Sequence, residues 1–239
     1  MFADVVNGFV VLFLIFVPLE RLMALAKQQK IFRRLWGLDA FYYFSGYFIS
    51  RGAIAVCMVT ALWLSGHTIS SEFQAAIASQ SLACQLLEAI VLADFGYYIA
   101  HRLLHTVPWL WEFHSIHHSV QEMDWLASVR VHPVDQFLAK FMQLLPLYLM
   151  GFSTETLAIF LIFAAAMGMF IHTNIRVKFG ALKWVIATPE FHHWHHANEP
   201  RICDKNLAAQ LPIYDLLFGT CYLPKNKRPS RFGVWYPVP

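Results

Sequence analysis

The residue type that could do chemistry in this sequence is histidine. Eleven of the twelve histidines lie between His101 and His196, and most fall into three groups with spacings of three or four residues. Residues three and four positions apart lie on one face of a helix, so each group predicts a helix that presents its imidazoles together. The groups, with the patterns H-x-x-x-H, H-x-x-H-H and H-x-x-H-H, contain His101, His105, His114, His117, His118, His192, His195 and His196.

These eight imidazoles predict a site for two metal ions. Imidazoles titrate near neutrality, and crowding them together is unfavourable unless something keeps them neutral and binds their lone pairs. A divalent metal ion does both. Two ions with about four nitrogen ligands each would use all eight histidines.

The type of ligand narrows the choice of metal. All-histidine ligation suits zinc, copper, iron and nickel, but a structural zinc site needs only four ligands. A zinc metalloprotease would carry H-E-x-x-H, whereas Arg102 follows His101 here and the general base is missing. Haem needs one or two axial ligands on facing helices and not dense groups. A di-iron centre that activates oxygen is therefore the best chemical fit.

The elements that must position these histidines are predicted to be membrane-spanning helices. Of the 239 residues, 58% are hydrophobic and 14% are charged, whereas a soluble domain carries roughly 25% charged residues. This composition argues against an ordinary soluble enzyme and excludes a disordered chain. Apolar runs of about the length that spans a bilayer occupy residues 5–18, 48–64, 83–100, 137–152 and 157–171.

The last two runs predict a helical hairpin, because only residues 151–156 separate them. The first helix of this hairpin contains Lys140 and Pro146, so it is expected to be short, tilted or partly interfacial. The predicted fold is all-α: a polytopic membrane helical bundle with a cytoplasmic, histidine-rich helical cap.

The basic residues predict the orientation, because cytoplasmic loops are enriched in Lys and Arg. Five lie between the first two runs and nine follow the last run, while none lies in residues 66–82 or 151–156. The N-terminus is accordingly expected outside, with residues 100–136 and the tail from residue 172 in the cytoplasm. The metal site would then lie on the cytoplasmic side of an integral, multi-pass membrane protein.

The remaining composition bears on the partners. The formal net charge of +3 is too small to indicate binding to nucleic acid. The four cysteines have no C-x-x-C spacing, and the sequence has no flavin or dinucleotide glycine motif. An oxygenase with this sequence would take its electrons from an external electron-transfer protein.

The three histidine groups, in this order and interrupted by a hydrophobic hairpin, closely resemble the fatty acid hydroxylase and sterol desaturase superfamily. The resemblance extends through residues 94–105 and covers about residues 83–224. Its later landmarks are Arg130-Val131-His132-Pro133, His172-Thr173-Asn174, residues 188–196 and residues 211–220.

This resemblance implies a division of the chain. Residues 1–82 would form an N-terminal transmembrane region, and residues 83–224 a catalytic domain that includes the hairpin at about 137–171. Residues 225–239 would be a C-terminal tail. Members of the superfamily often continue beyond the Pro237-Val238-Pro239 seen here, which leaves open whether the chain is truncated.

The resemblance also implies the activity. Members are membrane-embedded di-iron oxygenases that use dioxygen to hydroxylate or desaturate a C–H bond of a lipid, such as a fatty acyl, sterol or isoprenoid chain entering from the bilayer. Electrons come from a separate protein, and no nucleic acid is involved. Two non-haem irons would be bound by His101, His105, His114, His117, His118, His192, His195 and His196, with His172 as a ninth ligand.

Polar residues near these motifs have more than one interpretation. His193 is predicted not to bind metal, because on a helix it points about 100 degrees away from His192. Ligand imidazoles usually donate their second N–H to a carboxylate or carbonyl. Asp94 is a candidate for a carboxylate that orients a ligand in this way. His132 is a candidate for a residue that contacts a ligand without binding the metal. For both, a structural role is an equal alternative. Two further residues are expected to fix the tail against the site: Asn206 and Asp215.

The alternative from another class is a non-enzymatic membrane metal-binding or transport protein, in which histidine-rich helix ends also occur. A transporter is expected to place ionisable ligands near the middle of a span, whereas these histidines lie beyond the apolar runs. The isolated His67, in the predicted external loop, is expected to be a structural residue.

Overall fold

The computed structural model of the protein describes residues 2–199, 202–236 and 238. Within that part of the chain the fold is all-helical, as predicted, with nine α-helices, two 3₁₀-helices and no strand beyond two isolated bridges. Pro237, Pro239 and the side chain of His67 lie outside the described residues.

Five long helices form the bundle: α1 (Phe2–Leu22), α2 (Trp36–Thr68), α4 (Leu82–Thr106), α6 (Pro133–Met150) and α7 (Thr154–His172). The shorter elements are α3 (Ser71–Ala78), α5 (Pro108–His118), α8 (Pro189–His195), α9 (Ile213–Leu217) and the 3₁₀-helices Trp125–Val129 and Gly180–Trp184. Prolines occupy the first turns of α5, α6 and α8, where a helix tolerates the missing N–H. Proline therefore sets the starts of both short histidine helices, α5 and α8.

Four segments are long and apolar enough to cross a membrane, by length and composition: α1, Trp36–Ser65 of α2, α4 and α7. The sequence predicted five spans, and α6, the fourth of them, is not in this set. It carries Asp135 in its first turn and Pro146 in its interior, and Lys140 adds a further charge. α6 packs along α2 and α4. It runs from the histidine end of the bundle to the α6–α7 turn at the other end, although its own composition does not mark it as an apolar span.

Close packing of α4 on α6 depends on one glycine. A Cβ on Gly96 would lie 2.1 Å from the main-chain oxygen of Met142, so only glycine allows the two helices to approach this closely. Small and branched side chains fill the adjoining core, including Ala89, Ala93 and Leu144. This contact fixes the end of α4, which carries the first histidine group, relative to the helix that follows the second group.

Buried charges tie one end of the bundle together. The Glu20 carboxylate at the end of α1 accepts the N–H groups of Trp125 at 2.8 Å and Asn174 at 3.0 Å. Beside it lies a buried network of two arginines and two aspartates: Arg33, Asp39, Asp124 and Arg130. The network joins the start of α2 to the segment between α5 and α6. The histidine helices lie at this end, and the α6–α7 turn lies at the other.

Candidate metal centre

Four helices bring nine histidines together at this end of the bundle. The end of α4 supplies two, α5 supplies three, the last residue of α7 supplies one, and α8 with the residue that follows it supplies three. The structure divides these nine side chains into two neighbouring groups. All nine are the histidines that the sequence analysis singled out as ligands.

The larger group contains five imidazoles, each offering one nitrogen, and these nitrogens lie within 4.8 Å of one another. The Nε2 atom of His114 is central, at 3.0 Å from Nε2 of His101 and 3.1 Å from Nε2 of His118. We call this set the five-histidine group: His101, His105, His114, His118 and His195.

The smaller group contains four imidazoles with the same spacing limit. Nε2 of His172 lies 3.2 Å from Nε2 of His117 and 3.1 Å from that of His192, which is 3.1 Å from Nε2 of His196. The stacked rings of His118 and His196, with centroids 4.5 Å apart, join the two groups. We call this set the four-histidine group: His117, His172, His192 and His196.

Hydrogen bonds to backbone carbonyls fix the tautomer of several rings. Nδ1 of His101 donates to the carbonyl of Leu207 at 2.6 Å, and Nδ1 of His172 donates to that of Gly168 at 2.6 Å. Nδ1 of His117 donates in the same way at 3.2 Å, and that of His195 at 2.8 Å. A carbonyl can only accept, so each Nδ1 carries the proton and each neutral ring presents a lone pair on Nε2.

These lone pairs converge, and this is what makes the site fit metal ions. His117 and His172 both have protonated Nδ1 atoms, yet their Nε2 atoms face each other at 3.2 Å, with no proton left to join them. In the other group the Nε2 atoms of His105 and His195 are buried without any hydrogen-bond partner. Buried lone pairs in such contact are unfavourable unless a cation lies among them.

Burial keeps the imidazoles outside the spanning helices neutral. It lowers the pKa of His114 to about 3, and together with the neighbouring His114 and His101 it lowers the pKa of His117 to about 3. Burial also holds the pKa of His118 and of the three α8-region ligands well below the ordinary value. At neutral pH these rings are therefore deprotonated on one nitrogen, the state that binds metal.

Two carboxylates contact the five-histidine group, and the sequence analysis missed both. Asp135 accepts a hydrogen bond from Nδ1 of His114 at 2.7 Å, and Asp204 accepts one from Nδ1 of His105 at 3.0 Å. Asp135 is buried, whereas the Asp204 side chain is 50% exposed. The available signal for Asp135 was its place in the first turn of the helix that begins at Pro133, two residues after the Pro of Arg130-Val131-His132-Pro133.

The Asp94 carboxylate binds backbone N–H groups and not the ligand imidazole for which the sequence made it a candidate. The carboxylate accepts the backbone N–H groups of residues 209, 210 and 211, the last at 2.7 Å. It therefore positions His101 only through the loop that carries the Leu207 carbonyl. Asp215 accepts the N–H groups of Leu207 and Ala208, and Asn206 donates to two carbonyls. Asn206 thus ties its segment to Phe191 of α8, and Asp215 holds the loop that carries the Leu207 carbonyl.

The two remaining histidines of this region lie outside both groups. Nε2 of His193 is 3.1 Å from the carbonyl oxygen of Thr173, and its ring packs against Phe232. His132 caps α6: its Nδ1 accepts the N–H of Val134 at 3.2 Å, and its ring stacks on Phe113. The described contacts of His132 are those of a helix cap.

Comparison with known proteins finds relatives that are named as a lipid hydroxylase and a monooxygenase. It is 33% identical over 156 residues to an ornithine lipid hydroxylase of Rhizobium tropici, covering 64% of this chain and 46% of that protein. It is 31% identical over 147 residues to the alkylglycerol monooxygenase of Xenopus tropicalis, covering 61% and 32%. The chain thus spans less than half the length of these relatives. No solved structure matches it significantly.

The family model described as fatty acid hydroxylase matches residues 86–220. This stretch is more than half of the chain, and it contains both histidine groups together with Asp135 and Asp204. The chain therefore belongs to the fatty acid hydroxylase family.

Proposed function

We propose that the protein is a membrane-embedded di-iron oxygenase that hydroxylates or desaturates a C–H bond of a lipid. The observation that carries the proposal is the convergence of buried Nε2 lone pairs in two adjacent groups. The relatives support it, because one is named as a hydroxylase of ornithine lipid and another as a monooxygenase of alkylglycerols. Residues 83–224 would form the catalytic domain.

The five-histidine group would hold one iron and the four-histidine group the other. Iron bound there supplies the redox chemistry that couples dioxygen to an unactivated C–H bond. For hydroxylation, the C–H bond, dioxygen, two electrons and two protons yield C–OH and water. The electrons must come from outside, since the sequence has no C-x-x-C, flavin or dinucleotide motif.

The protein's own residues prepare the site. The carbonyls of Leu207, Arg130 and Gly168 hold imidazole N–H groups and aim the opposite nitrogens inward. The Asp135 carboxylate does the same for His114 and adds negative charge, which favours a cation beside that ring. Burial of the rings excludes water, which would otherwise compete for the ligands and quench reactive oxygen chemistry.

The position of the site suits a lipid substrate. His101, His105 and His172 lie at the ends of α4 and α7, two helices of membrane-spanning length. A lipid chain in the bilayer would reach the metals from between these helices, with no need to leave the membrane. The substrate class is therefore a lipid, and an acyl, sterol, isoprenoid or alkyl chain would satisfy this geometry.

Lipid mass spectrometry tests the activity. Cells that produce the intact protein should contain a lipid with one added oxygen atom, or with two fewer hydrogens, that cells producing the His196→Ala variant lack. The purified protein should contain iron. A metal-loaded, folded protein that changes no lipid under oxygen with a reducing system would favour the metal-binding or transport alternative.

The cytoplasmic location of the metal site has a separate test. A reporter fused after residue 236 should be accessible only from the cytoplasm, and a reporter in the segment between α2 and α3 only from outside, because the basic residues cluster on the histidine side. An exported tail reporter in intact cells would reverse the orientation.

A further inference from the structure

A cavity outside the metal centre lies beyond the end of α7. Its volume is about 520 Å³, within the range of small-ligand pockets. The segment after α7, the tail and Glu190 of α8 line it, together with Leu25 from the loop after α1. We propose that this cavity binds the phosphate-bearing headgroup of an anionic membrane lipid.

The charge of the lining is the first argument. One lining carboxylate, Glu190, lies 4.0 Å from the guanidinium of Arg228. Within the described residues, no hydrogen bond or salt bridge engages the side chains of Arg176, Lys178, Lys225 or Lys227. The six basic residues that line the cavity are Arg176, Lys178, Lys183, Lys225, Lys227 and Arg228.

The environment of Arg228 shows where an anion would bind in this cavity. The Nη1 atom of Arg228 is buried and has no hydrogen-bond partner among the described residues. Burial lowers the pKa of Arg228, the nearby Glu190 carboxylate raises it, and the like charge of Arg176 lowers it. A guanidinium with an unused, buried N–H beside a second guanidinium needs an anion, and the fork of N–H donors matches phosphate oxygens.

The surroundings place the cavity at a membrane surface. α1 ends at Leu22, and the next residues pair with the lining segment: the N–H of Arg176 donates to the carbonyl of Met23 at 2.7 Å. Exposed apolar side chains stand beside the basic ones, with Leu182 52% exposed, Trp184 44% and Val185 65%. Apolar and aromatic side chains next to Lys and Arg at the end of a span are typical of the interface, where basic pockets bind lipid headgroups.

A lipid fits these observations better than an acidic protein. A protein partner would need a broad surface of roughly 800 Å² on each side, whereas the basic residues here line a concavity of small-molecule size. The exposed apolar side chains would also be costly to leave in water beside a purely ionic contact. Inserted among acyl chains, they would anchor the 3₁₀-helix Gly180–Trp184 and hold the mouth of the cavity at headgroup depth.

The test uses the purified full chain in nanodiscs of phosphatidylcholine, with phosphatidic acid titrated in and binding measured by native mass spectrometry. The variant Lys178→Gln/Lys227→Gln removes two cavity charges whose side chains make no hydrogen bonds. Its matched control is Lys27→Gln/Arg34→Gln, which removes two exposed charges outside the cavity lining on the same side of the bundle. We expect the cavity variant to weaken binding by roughly tenfold or more and the control by less than about twofold.

Three further outcomes decide the source of the ligand. Glycerol 3-phosphate and inorganic phosphate should compete only at far higher concentration than phosphatidic acid, because they lack the membrane anchor. Equal competition by either would make the ligand a free phosphate compound and overturn the lipid assignment. Stronger competition by poly-glutamate would indicate an acidic protein partner instead. If the cavity variant and the control variant lost phosphatidic acid binding equally, the binding would be a general attraction to the basic surface and not to the cavity. Because the readout is binding, the result is independent of whether the metal centre oxidises a lipid.

Discussion

The two histidine groups differ in what holds their outer ring nitrogens. In the five-histidine group, Asp135 and Asp204 accept hydrogen bonds from His114 and His105. In the four-histidine group, His117 and His172 donate only to backbone carbonyls. The other two rings of that group, His192 and His196, have buried Nδ1 atoms that lack a hydrogen-bond partner in the described part of the chain.

This difference should make the two metal positions unequal. A carboxylate behind an imidazole raises its basicity and fixes its orientation, so ligands of that kind bind a cation more tightly. The five-histidine group has one more ligand and two carboxylates, and we expect it to hold its ion more firmly. Within the described residues, the four-histidine group has fewer imidazoles and no hydrogen-bonded carboxylate, which would leave more room for dioxygen at an ion bound there.

Removing a ligand should give the largest effect in either group. His105→Ala deletes a ring whose Nε2 points into the five-histidine group without a partner, and His196→Ala deletes the ring that joins the groups. Each should lose at least one metal ion per chain and abolish lipid oxidation, because a coordination position opens. Elemental analysis of the purified, metal-replete protein measures the ion content.

His193→Ala is the matched control for both ligand variants. His193 neighbours three ligands in sequence but binds the Thr173 carbonyl instead of facing a group. It should keep both ions and measurable turnover. If His193→Ala lost as much metal as His196→Ala, the separation of α8 into a ligand face and a packing face would be wrong.

The ligand face of α8 shows what the sequence can predict. Spacings of three and four residues show which imidazoles share a helix face. His192 has partners at both spacings, His195 and His196, whereas His193 has one, His196, so the H-x-x-H-H pattern is also needed to set His193 aside. The family resemblance adds His172, which no local spacing singles out. Periodicity and motif order therefore suffice for the ligand-bearing helices and the all-helical fold.

Contacts between segments that are distant in the sequence cannot be predicted from periodicity and motif order. Arg130 pairs with Asp39, 91 positions away in sequence. The residues around each of them do not identify the other as its partner. Asp204 reaches His105 from a loop across 99 positions. Such pairs depend on how helices are arranged in space, and hydropathy records only which residues are apolar. The same limit applies to α6, whose packing against α2 and α4 cannot be read from its own hydropathy.

The second prediction concerns the buried carboxylate. Asp135→Asn removes the negative charge behind His114 while keeping an oxygen that can accept its N–H. Loss of such a partner typically lowers metal affinity by about 10–100-fold. Chelator competition should therefore show one weakened ion, with the ion of the four-histidine group unchanged. Glu155→Gln, at an exposed position in the first turn of α7, is the control for loss of one acidic charge.

The prediction for Asp135→Asn distinguishes the two groups, because only the metal affinity of the five-histidine group should fall. Equal weakening of both ions would mean that the two positions are electrostatically coupled and that the carboxylates do not distinguish them. Unchanged affinity would mean that the hydrogen bond to His114 serves folding alone. A drop in thermal stability with normal metal affinity would support that second interpretation.

The smallest effect is expected from Asp204→Asn. Asp204 also accepts an imidazole N–H, but its side chain is 50% exposed, so water screens its charge and can replace its hydrogen bond. Its backbone has a positive φ of 62°, a conformation that asparagine adopts readily, so the substitution should leave the loop intact. We expect metal affinity to fall by less than about tenfold, and chelator competition alongside Asp135→Asn gives the ranking directly. If Asp204→Asn weakened binding as much as Asp135→Asn, exposure would not govern the strength of these contacts, and the loop at residue 204 would have to close over His105 more tightly than its exposed carboxylate indicates.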